Sequence, residues 1–405
     1  MREVGGSSLN SKFGCSILEI RRNIKLISVI IIISLVGYYF LIPKYNIVQL
    51  LGAGATFPYP LIFKWTQEFR KIYPNITVNY QAIGSGGGIR AIIEQTVDFG
   101  ASDVPLNNKE FEEARKKGTI LHIPETIGAI AIVYNIPELN GRLKLSGEVL
   151  ADIYLGKIAK WNDPRIASLN PGLNLPDQDI IVVKRSDGSG TTYIFTDFLS
   201  AVSEEWKTLI GPTKIFDFPD NIGDRGIAAK GNQGVSGVIQ QNPYTIGYIE
   251  LAYAIQNNFP VALIRNKDGY FVEPNITTIQ AAAAGIVQQL PKPWDSWENV
   301  SIVYAPGKLA YPLSSLSYIL VYAEQRDYRK CLALKKWLSW IVTEGQKFAE
   351  ELHYVPLPQE IIQLDLLAIE HIRYLGEISS LNGSIKWYND VITCFLFSQR
   401  LEFVI

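Results

Sequence analysis

The chain has almost no surplus of either charge: 38 Lys and Arg stand against 39 Asp and Glu, a formal net charge of −1 over 405 residues. No basic field advertises nucleic acid, which is therefore not expected among the partners. An anion bound by such a chain has to be held by local, oriented donors. Cysteine is scarce. Cys15, Cys331 and Cys394 fit no zinc spacing and no disulfide framework, although the sequence leaves a Cys331–Cys394 bridge open. His122, His353 and His371 are scattered, with no pair at metal-ligand spacing. They read as surface or packing residues, and neither metal nor cofactor is expected. The chain lacks a Gly-x-Ser-x-Gly elbow, clustered histidines and a metal set, which speaks against a phosphatase or serine hydrolase. It also lacks internal repeats and low-complexity tracts.

At 47% hydrophobic residues the chain can bury a large core, and its length suits two or three domains. Leu26 to Ile42 is apolar and uncharged, preceded by Arg21, Arg22 and Lys25 and followed by Pro43 and Lys44. As a helix it would rise roughly 26 Å, slightly short of a hydrocarbon core of about 30 Å. The basic residues before it place the N-terminus inside and the chain after about residue 45 outside. No Ala-x-Ala site follows, so an uncleaved anchor is favoured over a cleaved export signal. Residues 1–25 form a cytoplasmic, disordered N-terminus and 26–43 the membrane segment. Cys15 precedes the apolar run, so it cannot serve as a lipid-anchor cysteine behind a signal. Sequons at Asn75, Asn275, Asn299 and Asn382 support export only weakly.

The stretch Lys184-Arg185-Ser186-Asp187-Gly188-Ser189-Gly190-Thr191-Thr192 organises the remainder. The apolar run Ile180–Val183 enters it as a buried strand. Tyr193, Ile194, Phe195, Phe198 and Leu199 leave it at helical spacing. A turn of this composition opens a helix and leaves its first amides unpaired, a ready anion site. Ser189, Thr191 and Thr192 add hydroxyl donors, and Arg185 can donate a bidentate fork. Alone, the stretch reads equally as an N-capped helix start with a surface ion pair. It is not a nucleotide P-loop, since no Gly-Lys-Ser/Thr ending is present.

Two further glycine turns precede helices. Gly52 to Pro58 carries near its end Thr56, a hydroxyl that can cap a helix, before Leu61, Trp65, Phe69 and Ile72. Gly84-Ser85-Gly86-Gly87-Gly88 follows the strand Ile76 to Tyr80. Val97 to Ala101 reads as a strand ending at Ser102-Asp103, Lys109 to Lys117 as a helix, Ala129 to Tyr134 as a strand, and Ser146 as a cap. Gly231 to Gly234 reads as a loop before a helix over Val235 to Gln240. Ile246 to Ile249 and Ser317 to Tyr322 read as strands, Val261 to Ile264 and Tyr270 to Val272 as a hairpin. Alternating strands and helices imply an α/β protein. Three hydroxyl-bearing turns converging on one ligand would make an oxyanion cage. Without convergence they are ordinary strand-to-helix turns.

Six segments together resemble the phosphate-binding protein family of phosphate ABC importers. They are Gly52–Pro58, Gly84–Gly88, Val97–Asp103, Asp152–Ile158, Lys184–Thr191 and Ile246–Glu250, in the family's order and spacing from about Gln49 to about Leu367. The resemblance implies a two-lobed α/β clamp of the periplasmic-binding-protein type II, with two hinge crossovers and a preceding N-terminal membrane helix. Lobe one would be 49–129 plus 309–375, lobe two 130–308, and 376–405 a tail of unknown role. The implied phosphate contacts are Thr56, Phe57, Ser85, Asp103, Arg185, Ser189, Gly190 and Thr191, with Asp187 orienting Arg185. Asp103 would accept the proton that phosphate keeps at neutral pH and sulfate lacks, discriminating about 10⁴-fold or more. The implied function is capture of inorganic phosphate outside the cell and delivery to the permease subunits of an ABC importer, without catalysis. The alternatives are a binder of sulfate, molybdate or tungstate, a surface phosphatase or hydrolase, and a sensor that reports phosphate.

Overall fold

A computed structural model of the protein describes residues 47–376. The expected disordered segment 1–25, the expected membrane helix 26–43 and the tail beyond Gly376 lie outside the described residues, as do Cys15, Cys394 and the sequon at Asn382. Among the described residues no helix is long and apolar enough to cross a membrane. The described residues from Val48 onward belong to one compact unit.

Thirteen strands are formed in chain order among the described residues. Eight build the main sheet: β1 (Val48–Gly54), β2 (Ile76–Ala82), β3 (Phe99–Ser102), β4 (Ile120–Asn135), β6 (Ile181–Arg185), β7 (Gly226–Ala229), β8 (Thr245–Glu250) and β11 (Ser314–Tyr322). The small strands β5 (Lys144–Leu145), β9 (Leu263–Arg265) and β10 (Phe271–Val272) form a three-stranded sheet; β12 (Glu324–Gln325) pairs with β13 (Arg373–Tyr374). The main sheet runs β2-β1-β3-β11-β4-β8-β6-β7. β1 is parallel to β2 and β3, and β6 is parallel to β7 and β8. The strands β11 and β4 join these two parallel groups by antiparallel ladders.

β4 is the strand that connects them. It has 16 residues, all buried but the last, so it spans roughly 50 Å at strand rise. Its residues up to Ala129 pair with β11, and Ile130–Asn135 pair with β8. The sequence pattern predicts only Ala129 to Tyr134 as strand. Pro124, Glu125 and His122 break the apolar run before it, although all three are buried.

Each parallel group is packed by its own aromatic cluster. Phe69 meets Trp337 edge-on at 5.1 Å and Trp340 at 5.5 Å, which seats the helix Tyr59–Ile72 against Tyr328–Val342. In the other group Phe195 stacks on Tyr248 at 4.2 Å and meets Tyr154 at 4.8 Å. This clamps the helix Gly190–Val202 onto β8. His122 is a packing residue, stacked near Trp297, and burial pushes its imidazole down to about 3.

Caps set most helix starts. Ser146 accepts from the Val149 amide, and Asn107 forms a capping box with Glu110 that starts the helix at Asn108. Thr56 does not cap the helix that follows it, contrary to the sequence pattern. The helix begins at Tyr59 after Pro58, with Pro60 in its first turn, and proline removes an amide that would need a cap. Gly231–Gly234 is another correction, since the helix Gly231–Gln241 begins there.

Candidate functional site

Every main-sheet turn of interest sits at the carboxyl end of a parallel strand, where a helix start faces back over the sheet. After β1, Thr56 is buried and its Oγ1 accepts from Asn232 Nδ2 at 3.0 Å and from the Asn232 amide at 3.3 Å. Its carbonyl accepts from the Tyr253 hydroxyl at 2.7 Å, and the Phe57 carbonyl accepts from the Tyr354 hydroxyl at 2.7 Å. After β2, Gly84 turns the chain at φ +87° and the helix Ser85–Ile93 starts directly on Ser85. Ser85 therefore does not cap this helix. Instead its Oγ lies 3.2 Å from Asp103 Oδ2 and accepts from the Asp103 amide at 3.3 Å. After β3, Asp103 is 1% exposed.

The second face comes from β6 and β7. Arg185 ends β6 and is 1% exposed. Its Nε donates to Asp187 Oδ1 at 2.8 Å, and its Nη2 donates to Asp187 Oδ2. Nη1 is left for Thr191 Oγ1, at 3.3 Å. Asp187 also accepts from the Gly231 amide at 3.0 Å. Ser189 caps the helix Gly190–Val202 by accepting from the Thr192 amide at 3.1 Å. Gly190 and Thr191 are then the first two helical residues, whose amides have no acceptor within the helix. The Thr192 hydroxyl bonds Tyr248 at 2.9 Å, so it faces the core rather than the turn.

The two faces meet. The Gly86 amide donates to the Gly188 carbonyl at 2.9 Å. A Cβ added to Gly190 would lie 2.6 Å from both Asp103 Oδ2 and Ser85 Oγ. Asn232 reaches across to Thr56 and also lies 3.5 Å from Thr191 Oγ1. Thr56, Phe57, Ser85, Asp103, Arg185, Ser189, Gly190, Thr191 and Asp187 are thus brought to one place, and the three turns do converge.

Asn232 is the site residue that sequence reasoning missed. It is fully buried, and its Oδ1 accepts from the Glu250 amide at 3.2 Å. The signal was present: Gly231-Asn232-Gln233 repeats the glycine-then-polar pattern of the other two turns ahead of a periodic run. Its lack of a hydroxyl hid it.

Charge at the site nearly cancels. Arg185 is matched by Asp187, whose carboxyl is held below its ordinary range against the opposing effect of burial. Burial raises Asp103 to about 7, with nearby Arg185 opposing the rise. The arrangement is a buried cage of amide and hydroxyl donors, one guanidinium fork and one carboxyl able to accept a proton. It suits a small oxyanion carrying hydrogen. Among the described residues no group of three His, Cys, Asp or Glu is placed to hold a metal ion. A cavity of about 790 Å³, lined by residues such as Arg142, Tyr270 and Glu273, lies away from these turns.

The chain is similar to known proteins in sequence and in fold. The pattern of the PBP superfamily domain matches residues 44–344. The phosphate-binding protein PstS of Pasteurella multocida (strain Pm70) is 43% identical over 339 residues, covering 83% of this chain and 92% of that protein. PstS of Methanocaldococcus jannaschii is 41% identical over 333 residues, covering 79% and 85%. Among solved structures, a high-affinity periplasmic phosphate-binding protein bound with phosphate at pH 8.5 superposes with a TM-score of 0.62 at 20% identity. It covers 79% of this chain and 93% of that one. The phosphate-binding protein from Stenotrophomonas maltophilia gives 0.60 at 18%, with 79% and 93% covered. At these identities the structures speak to the fold alone.

Proposed function

We propose, from the premise that this chain belongs to the PBP superfamily and within it to the PstS phosphate-binding proteins, that it binds inorganic phosphate tightly outside the cytoplasm and delivers it to an ABC-type importer. It is a binding protein and carries out no chemistry. The observation that carries the reading is the convergence of two helix starts and a guanidinium on one buried carboxyl.

In this reading the Thr56 hydroxyl and amide, the Phe57 amide, the Ser85 hydroxyl and the amides of Gly190 and Thr191 donate to the anion's oxygens. Ser189 spends its lone pair on the cap and keeps its hydrogen for the ligand. Arg185 offers Nη1 while Asp187 holds the other two nitrogens, which fixes the guanidinium plane. Asp103 is the selector. As a carboxylate it can only accept, so it welcomes an anion that carries a proton and meets sulfate lone pair to lone pair.

The two groups of parallel strands act as lobes, 49–129 with 309–375 and 130–308. The β4 crossing and the return near 309 serve as hinges. Closing buries the anion, as in hinge motion around a ligand. Residues 26–43 attach the chain to the membrane; fractionation of cells expressing the full chain tests this, and release into the soluble fraction after high salt would contradict it.

The experiment for function is calorimetric titration of the full chain with inorganic phosphate, paired with a phosphomonoester hydrolysis assay. Saturable one-to-one binding without turnover is expected. Absence of binding would overturn the reading, and turnover would replace it with a hydrolase.

A further inference from the structure

Behind Asp103, away from the donors, lies a second buried acid that the binding reading does not use. The pairing of β4 with β11 shifts here: Ser317 faces Thr126, and the next residue, Tyr318, faces Pro124. Glu125 is therefore the extra residue of a bulge, and bulges re-aim side chains beside functional sites. Its carboxyl is fully buried. Oε1 takes a hydrogen bond with Ser317 Oγ at 3.0 Å, and Oε2 has no partner among the described residues. The same Ser317 Oγ lies 3.4 Å from Asp103 Oδ1. Glu125, Ser317 and Asp103 thus form a line of three groups that ends in the anion site.

Ser317 has one hydrogen and two carboxyls to serve. We propose that Glu125 is held as the neutral acid, donates a hydrogen bond from its O–H to Ser317 Oγ while keeping the proton, and so turns the Ser317 hydrogen onto Asp103, which makes Asp103 the ionised acceptor that selects the anion. The proposal rests on the phosphate reading of the site. Glu125 touches no ligand and acts through Ser317, so it is a positioning residue.

Three observations favour this assignment of the proton. A carboxylate oxygen buried without a donor is costly, whereas a neutral acid tolerates the same place. Among the described residues the one cation acting on the pair, Arg185, acts on Asp103, so Asp103 gives up its proton first. Burial raises Glu125 to about 8, with Asp103 adding to the rise and Ser317 opposing it. The other titratable or charged groups turned toward the pair are Asp187, Glu250, Tyr80, Tyr253 and Tyr354. None of them is a cation that could hold Glu125 ionised.

A consequence follows on the alkaline side. When Glu125 ionises, a second negative charge stands behind the bound dianion, and Ser317 turns its hydrogen away from Asp103. Phosphate binding there requires a proton to return to Glu125. The test is calorimetric titration of the full chain with inorganic phosphate, with and without sulfate, for wild type, Glu125→Gln, Glu125→Leu and Ser317→Ala. Between about pH 8 and about pH 10 phosphate stays a dianion, so a change in affinity there reports the protein. One linked proton weakens binding by about tenfold per pH unit. Wild type is expected to follow that slope and to take up a proton on binding, read from buffers of different ionisation enthalpy. Glu125→Gln, whose amide still donates to Ser317, is expected to stay flat and to keep wild-type selectivity near neutral pH to within about threefold. Glu125→Leu is expected to be flat but to reject sulfate less well, and Ser317→Ala to lose sulfate rejection already near neutral pH. Superimposable profiles of wild type and Glu125→Gln overturn the proposal while leaving phosphate binding intact. Unchanged selectivity in Ser317→Ala overturns the relay, and wild type without phosphate binding overturns the proposal together with the reading beneath it.

Discussion

The turns after β1, β2 and β3 bring to the site a carboxyl that no cation bonds, whereas the turn after β6 brings a guanidinium already locked to its own carboxylate. On the second face charge is balanced before any ligand arrives, and Arg185 is left with one nitrogen to offer. On the first face charge is left adjustable: Asp103 is raised to about 7 by burial and is in contact with a second acid through Ser317. The contrast separates two tasks that a binding site for a small anion has to perform. One face supplies fixed attraction, and the other tests whether the anion carries hydrogen.

The comparison can be broken from its strongest side first. Arg185→Ala removes the fixed attraction and leaves Asp187 buried beside it. Phosphate affinity should fall by about a thousandfold, as for truncating one partner of a buried charge pair. A loss smaller than about tenfold in calorimetry would mean that the amide donors alone carry the anion. Asp103→Asn attacks the other face. Its amide can donate, so sulfate should compete to within about tenfold of phosphate, where the carboxylate would separate them by about 10⁴. Persisting rejection of sulfate by that variant would relocate the selector. Gly190→Ala tests whether the faces must touch. Its methyl would sit 2.6 Å from Asp103 Oδ2 and Ser85 Oγ, and overpacking of this kind should weaken binding by about ten- to a hundredfold. Unchanged affinity would show that the faces bind without this approach.

Asn232→Ala gives a smaller effect. It removes the side-chain donor to Thr56, leaving the backbone amide, and the acceptor for the Glu250 amide, and affinity should drop by about tenfold or less. The smallest effect is on stability. Folding raises the proton affinity of Asp103 and Glu125, so their stabilising contribution is complete below the ordinary carboxylate range. It is lost as pH rises through about 7 and about 8 respectively. Thermal unfolding of the ligand-free chain should therefore shift down by a few degrees from about pH 5 to about pH 9, and less so in Glu125→Gln. Equal shifts in both chains would contradict the neutral state of Glu125.

The second face was the more legible of the two in the sequence. Lys184 to Thr192 is contiguous: a strand enters it, running on through Arg185 where the pattern gives Ile180–Val183, and a helix leaves it, with Ser189 as the cap. The first face is assembled from three separated turns. Their residues are legible singly, but Thr56 holds a position other than the helix cap the pattern suggests, and Ser85 opens its helix without capping it. Pro58 and Pro60 make a cap at Thr56 unnecessary, and Ser85 is drawn to Asp103. Glu125 and Ser317 could not be found that way. A single acid in an apolar strand looks like an interruption, and only the shifted register between β4 and β11 turns it inward. Asn232 was missed for a related reason, because Gly231–Gly234 resembles a loop until the helix that follows is seen to start on it.

The most direct measurement is a phosphate titration of the full chain with sulfate in large excess, repeated from acid to alkaline pH. The account predicts saturable phosphate binding that sulfate cannot displace above about pH 7, where Asp103 is the acceptor. Sulfate should begin to compete as pH falls below that point and Asp103 takes up a proton. Sulfate that displaces phosphate equally at every pH would contradict it.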